Sequence, residues 1–123
     1  MKSIKEFVRS ILMDEEIINL LPNKTVYYLH AIGDSENPVT APYIEYEFYD
    51  ENGALYAEGE EVATNYFLQV DIFTSSSFTV LEELVKKKMI DAGFIRDMAA
   101  DFYEDKVKLY HKAIRFTYTS DII

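Results

Sequence analysis

Proton transfer in this chain would fall to two histidines, His30 and His111. A hydrolase reading would pair His111 with Asp71, in the stretch QVDIFTSSSFT at 69 to 79. An Asp71–His111 pair is the base and its orienting acid in a hydrolase. The rest of such a site is missing from the sequence: it has no GxSxG elbow, no HExxH, no phosphate-binding glycine loop and no cysteine. A lone histidine in a strand is more often structural than catalytic. The acidic clusters DEE (14–16) and EGEE (58–61) offer oxygen ligands, but neither has the alternating spacing of a calcium loop, so both read as solvated charge. The expectation is a protein with no catalytic residue, no cofactor and no metal site.

Asp71 raises a different question, because it sits in a run that otherwise looks like a core strand. Strand side chains alternate between faces, which puts Tyr66, Leu68, Val70 and Ile72 on one side and Phe67, Gln69, Asp71 and Phe73 on the other. One face is oily and the other mixes aromatic with polar groups. Glu45 and Glu47 alternate with Ile44, Tyr46 and Phe48 in the same way, and His111 and Arg115 alternate with Lys112, Ile114 and Phe116. The polar members of all three runs are expected on the sheet face turned away from the helices. The candidate interface or lumen residues are therefore Phe67, Gln69, Asp71, Phe73, Glu45, Glu47, His111 and Arg115. Tyr43 and Tyr49 add aromatic area to the same face.

The elements that would position these residues follow from periodicity. Ser3 and Glu6 have capping-box spacing ahead of Ile4, Phe7, Val8, Ile11 and Leu12, which predicts a helix over 3–13. Asp14 caps a short continuation through Leu21, which Pro22 ends. Thr25–Ile32 is rich in β-formers, and 33–42 (GDSENPVTAP) is a polar loop expected to be a flexible contact. A strand starts at Tyr43, the Asn52-Gly53 pair predicts a hairpin turn, and Ala54–Glu60 is the return strand. Gly59 marks a bulge or bend before a long strand over Val62–Thr74. Thr79 and Glu82 repeat the capping-box spacing before a helix over 80–92, with acid-to-lysine pairs four residues apart on its outer side and a stop at Gly93. Phe94–Tyr103 reads as a strand interrupted at Met98–Ala100, Glu104–Lys106 as a turn, and 107–119 as the last strand.

The 123 residues, 49% of them hydrophobic, suit one domain spanning 1–123. The fold class expected is α+β, a mostly antiparallel sheet with two main helices packed on one face. No apolar run approaches the roughly 18 residues of a membrane helix, so a soluble, unexported chain is expected. A net charge of −10 argues against specific nucleic-acid binding, which needs a basic footprint.

In the order of its segments the chain resembles the small tail-completion, or tail-terminator, proteins of long-tailed bacteriophages and prophages of Gram-positive hosts. The resemblance rests on the N-terminal amphipathic helix, PYIEYEFYD (42–50), EGEEVATNYFLQVDIFTSSSFTVLEELV (58–85) and HKAIRFTY (111–118), and spans most of the chain. It implies a non-enzymatic protomer without cofactor that closes into a ring, typically a hexamer, capping the tail tube. The implied partners are further copies of itself, the tail tube protein and the head-connector proteins. Genome DNA would pass an acidic lumen without being held, and no membrane is involved. The implied location is the host cytoplasm during assembly and then the tail or neck of the virion. The alternative is a small non-enzymatic α+β binding module with an aromatic face for a ligand or partner.

Overall fold

The computed structural model describes residues 3–121. The first helix, α1 (Ile4–Leu12), starts at Ser3, whose Oγ accepts a hydrogen bond from the Glu6 amide at 3.1 Å. Asp14 caps the one-turn α2 (Glu15–Ile18) in the same way, accepting from the Glu16 amide at 2.9 Å. Five strands follow: β1 (Tyr27–Tyr28), β2 (Tyr43–Ala57), β3 (Glu60–Thr74), β4 (Ile95–Glu104) and β5 (Leu109–Asp121), with α3 (Thr79–Asp91) between β3 and β4. They form one sheet in the order β1-β2-β3-β5-β4, antiparallel except where β1 runs parallel to β2.

All three helices lie against one face of the sheet. Val8 and Leu12 of α1, Ile17 of α2 and Leu81, Val85 and Met89 of α3 share a core with Ile44, Leu68, Val70, Ile72, Ile114 and Phe116. Each fully buried aliphatic side chain in this set contributes about 1.5–3 kcal/mol of hydrophobic stabilisation. The expected α+β architecture and the helix-facing set on each long strand are what the structure has. No helix among the described residues is long and apolar enough to cross a membrane.

Several local expectations are corrected. Asn52-Gly53 is not the hairpin turn: β2 continues through it, and the chain reverses at Glu58-Gly59, flanked by the paired Ala57 and Glu60. Both turn residues have positive φ, 54° and 80°, which a two-residue turn matching the twist of its strands requires. Gly53 is instead overlaid by the Tyr56 ring, at a point where register shifts interrupt the ladder. Thr79 forms no capping box: α3 begins there with Phe78 at the cap position and no side-chain cap. The Glu82 carboxylate lies 3.4 Å from Lys112 on the sheet. The outer pairs of α3 are Glu83–Lys86 at 2.6 Å and Lys87–Asp91 at 2.7 Å, while Lys88 reaches Asp14 and Glu16.

β4 is continuous, and its irregularity is a register shift between Arg96 and Met98 rather than a break at 98–100. Glu104 belongs to β4, and β5 starts at Leu109 rather than 107. Of Thr25–Ile32 only Tyr27 and Tyr28 join the sheet. The run ends at Leu29, where φ is 68° and the His30 amide donates back to the Tyr28 carbonyl at 2.8 Å.

Candidate interaction face

The register of the strands arranges the face away from the helices in rows. One row is aromatic: Tyr43 on β2, Phe73 on β3, His111 on β5 and Phe102 on β4 are successive cross-strand partners. Tyr43 stacks on Phe73 at 4.8 Å between ring centroids, Phe73 on His111 at 4.3 Å, and Phe102 tilts against His111 at 5.6 Å. The next row runs Glu45, Asp71, Ala113, Ala100, and the third Glu47, Gln69, Arg115, Met98. Beyond them Tyr49 packs against Phe67.

Glu45 and Asp71 are direct cross-strand neighbours, and both are buried, at 8% and 6% exposure. Two like charges in that position repel unless each finds its own partner. Glu45 turns outward to the Ala31 amide, at 2.8 Å, with His30 Nδ1 at 3.5 Å. Asp71 turns the other way: its Oδ1 lies 2.6 Å from His111 Nε2 and accepts from Gln69 Nε2 at 2.8 Å. Gln69 Oε1 in turn accepts from Arg115 Nε at 2.9 Å, and the Arg115 guanidinium lies 4.3 Å from the centre of the Tyr49 ring. The other imidazole nitrogen, Nδ1, meets Glu104 Oε1 at 3.1 Å. A polar chain thus runs Glu104–His111–Asp71–Gln69–Arg115 across three strands, and no buried side-chain polar atom among the described residues lacks a partner.

Burial is the largest single influence on His111 and by itself lowers its pKa. The hydrogen bonds and charges of Asp71 and Glu104 outweigh it, and the net effect is a raised value. Burial raises the pKa of the neighbouring Tyr43, and the charges of Glu45 and Glu104 raise it further. With a carboxylate on each ring nitrogen and Phe73 stacked on its face, His111 presents no open nitrogen to a substrate. Asp71 and His111 do meet, as a hydrolase would require, but within a closed polar network.

All eight candidate residues, Phe67, Gln69, Asp71, Phe73, Glu45, Glu47, His111 and Arg115, lie on this one face. Across strands on this face His111 meets Asp71 and Glu104, while Arg115 faces the neutral Gln69. The sequence reading missed Glu104, assigned to a turn, and the edge residues Met98 and Phe102. The hairpin length would have found them, because a loop over 105–108 places Phe102 opposite His111.

Two clefts open beside the network. One, of about 390 Å³, has Ala100 and Ala113 as its floor, with Met98, Phe102, His111 and Arg115 as walls. The other, of about 420 Å³, lies at the start of α3 and is bounded by Phe78, Glu82, Tyr110 and Lys112. The loop over 33–42 is held to the body by Asn23, which donates to the Pro38 carbonyl at 2.9 Å and accepts from the Thr40 amide at 2.8 Å.

No protein-family model matches the sequence, and no curated protein matches it. In three dimensions the chain is similar to one in a structure described as the virion of a native gene transfer agent particle. That likeness has a TM-score of 0.62 at 13% identity and covers 93% of this chain and 91% of the other. What the two share is the fold, along nearly the whole of both chains.

Proposed function

We propose that this protein is a structural component of a phage-type virion: a tail terminator whose copies close into a ring, with six the expected number, at the end of the tail tube and join it to the head connector. The observation that carries this reading is the fold shared with a virion chain over 93% of the length. It agrees with the segment order PYIEYEFYD, QVDIFT and HKAIRFTY, on which the family resemblance rests. The polar network supports a non-enzymatic role, because it consumes the groups that would do chemistry in rows that stiffen the sheet. A preponderance of acids suits a channel through which DNA passes without being gripped by its phosphates.

Absolute mass by light scattering over a concentration series, alone and with isolated tail tubes, tests the proposal, followed by negative-stain imaging. Closed rings, free or seated on tube ends, are the expected result. A chain that stays monomeric throughout and leaves the tubes bare overturns it. The 420 Å³ cleft favours a second reading, a small-molecule binding module, which predicts ligand-dependent thermal stabilisation of the monomer.

A further inference from the structure

We propose that Glu104, His111 and Asp71 form a proton-operated latch on the end of the β4–β5 hairpin. With the imidazole doubly protonated it ties β4 and β5 to β3; with the imidazole neutral it releases Glu104 and loosens residues 104–109, while Asp71 stays bound. Such a latch works within one protomer, whether or not copies close into a ring.

A neutral imidazole has one N–H, yet each nitrogen of His111 faces a carboxylate oxygen, Nε2 facing Asp71 Oδ1 at 2.6 Å and Nδ1 facing Glu104 Oε1 at 3.1 Å. Both contacts are hydrogen bonds only in the imidazolium. Phe73, stacked on the ring at 4.3 Å, suits the same charged form. Loss of one proton to solvent leaves a nitrogen lone pair pointing at an anion, so one of the two carboxylates must turn away.

Glu104 is the one free to move. Its side chain is 46% exposed, its carboxylate has no other hydrogen bond or ion pair among the described residues, and as the last residue of β4 it can turn into water. Asp71 is buried on the central strand, holds the shorter contact and also accepts from Gln69 Nε2 at 2.8 Å. Turning it away would strand a buried charge. β4 in turn is lightly fastened. None of its residues is buried, and among the described residues its side chains make three polar ties to β5: Asp97 to Thr117, Asp101 to Lys112 and Glu104 to His111. Losing the last of these leaves the hairpin end to its backbone pairing and to the ring contacts of Phe102 with His111 and Tyr103 with Tyr110.

The other charged and titratable groups around the ring leave His111 as the trigger. On β2, Tyr43 and Glu45 lie beyond Phe73 and Asp71; Glu45 is engaged by the Ala31 amide, and burial, Glu45 and Glu104 keep the Tyr43 phenol protonated well past neutrality. On β5, Arg115 reaches Asp71 only through Gln69, and Lys112 is taken by Glu82 of α3 and Asp101 of β4. In the loop over 105–108, Asp105, Lys106 and Lys108 make no ion pair with the bridge. Imidazole alone among these side chains ordinarily titrates near neutrality. The raised pKa of His111 sets the direction: the latch is closed at pH 6.5 and below, and opens as pH rises through the higher folded value.

Hydrogen–deuterium exchange read by mass spectrometry tests the latch in the wild type, Glu104→Gln and His30→Gln, from about pH 5.5 to about pH 8.5. Labelling is short and its times are scaled to the intrinsic exchange rate at each pH. After scaling, wild-type peptides within 103–110 are expected to exchange about tenfold faster at the upper pH than at the lower, as the loss of one hydrogen bond implies, while peptides over 66–73 stay protected. Glu104→Gln, whose amide can donate to a bare ring nitrogen or accept from a protonated one, is expected to abolish the difference. His30→Gln, which removes the other imidazole of the chain, is expected to keep it. Exchange over 103–110 that overlays at every pH in the wild type overturns the proposal. A difference that survives in Glu104→Gln or vanishes in His30→Gln also overturns it, as does loss of protection over 66–73 instead, which reports release of Asp71.

Discussion

His111 holds its proton between Asp71 at 2.6 Å and Glu104 at 3.1 Å, and these two carboxylates raise its pKa against the opposing effect of burial. A proton bound more tightly in the folded than in the unfolded state stabilises the fold. That contribution is complete below the unfolded imidazole value near 6.5 and is lost as pH rises through the higher folded value. Urea unfolding at a series of pH values should therefore show stability falling from about pH 6.5 upward. His111→Gln, which keeps one hydrogen bond but cannot titrate, should flatten that slope; an unchanged slope would place the titrating group elsewhere. Asp71→Asn weakens a charge-assisted hydrogen bond but also relieves the repulsion from Glu45 next to it. Its expected cost is about 1–2 kcal/mol, with a fall in the His111 pKa visible by NMR titration.

At the scale of elements the β2–β3 hairpin gives the sharpest test, because two glycines in it are there for different reasons. Gly59 has φ of 80° with nothing near the position a Cβ would take, so Gly59→Ala meets no clash but must hold a left-handed backbone. The expected cost is about 1–2 kcal/mol. At Gly53 a Cβ would run into the end of the Tyr56 side chain and the Glu61 carboxylate. Tyr56 is 60% exposed and free to swing aside, so Gly53→Ala should cost less than about 0.5 kcal/mol. Thermal melts of the two variants would reverse in order if the turn were at Asn52-Gly53. The same hairpin shows what the sequence could and could not convey. Alternation between Ile44, Tyr46 and Phe48, and between Leu68, Val70 and Ile72, reflects burial on one face, and the structure keeps it. Asn-Gly is a local turn preference worth little against the long ladder that carries β2 on to Ala57. The Thr79 cap failed for a similar reason: Glu82, the other member of its box, is near Lys112, a tertiary contact invisible in local spacing. The candidate face was legible because faces depend on parity alone. Its bonding was not, since the Glu104–His111–Asp71 chain depends on strand order and loop length.

Across the whole molecule the controlling quantity is a net charge of −10, made of −12 from the stretch from 25 to 85 and +2 from the rest. Two protomers approaching one another repel at long range, whatever their contact surfaces offer at short range. The Debye length is about 30 Å at 0.01 M salt and about 8 Å at 0.15 M, so salt removes the long-range repulsion well before it weakens pairs buried in a contact. Assembly should therefore strengthen as salt rises from about 0.01 to 0.15 M, and light scattering at fixed protein concentration should show mass increasing over that range. Uniform repulsion between acidic copies would predict the same trend, so a charge variant separates the two cases. Reversing Lys106 and Lys108 to Glu takes residues 86–121 from a net charge of +2 to −2. If opposite charges meet in the contact, this variant should assemble less than the wild type even at 0.15 M salt, where the long-range term is screened. A variant that differs from the wild type only at low salt would mean that these lysines act through net charge alone.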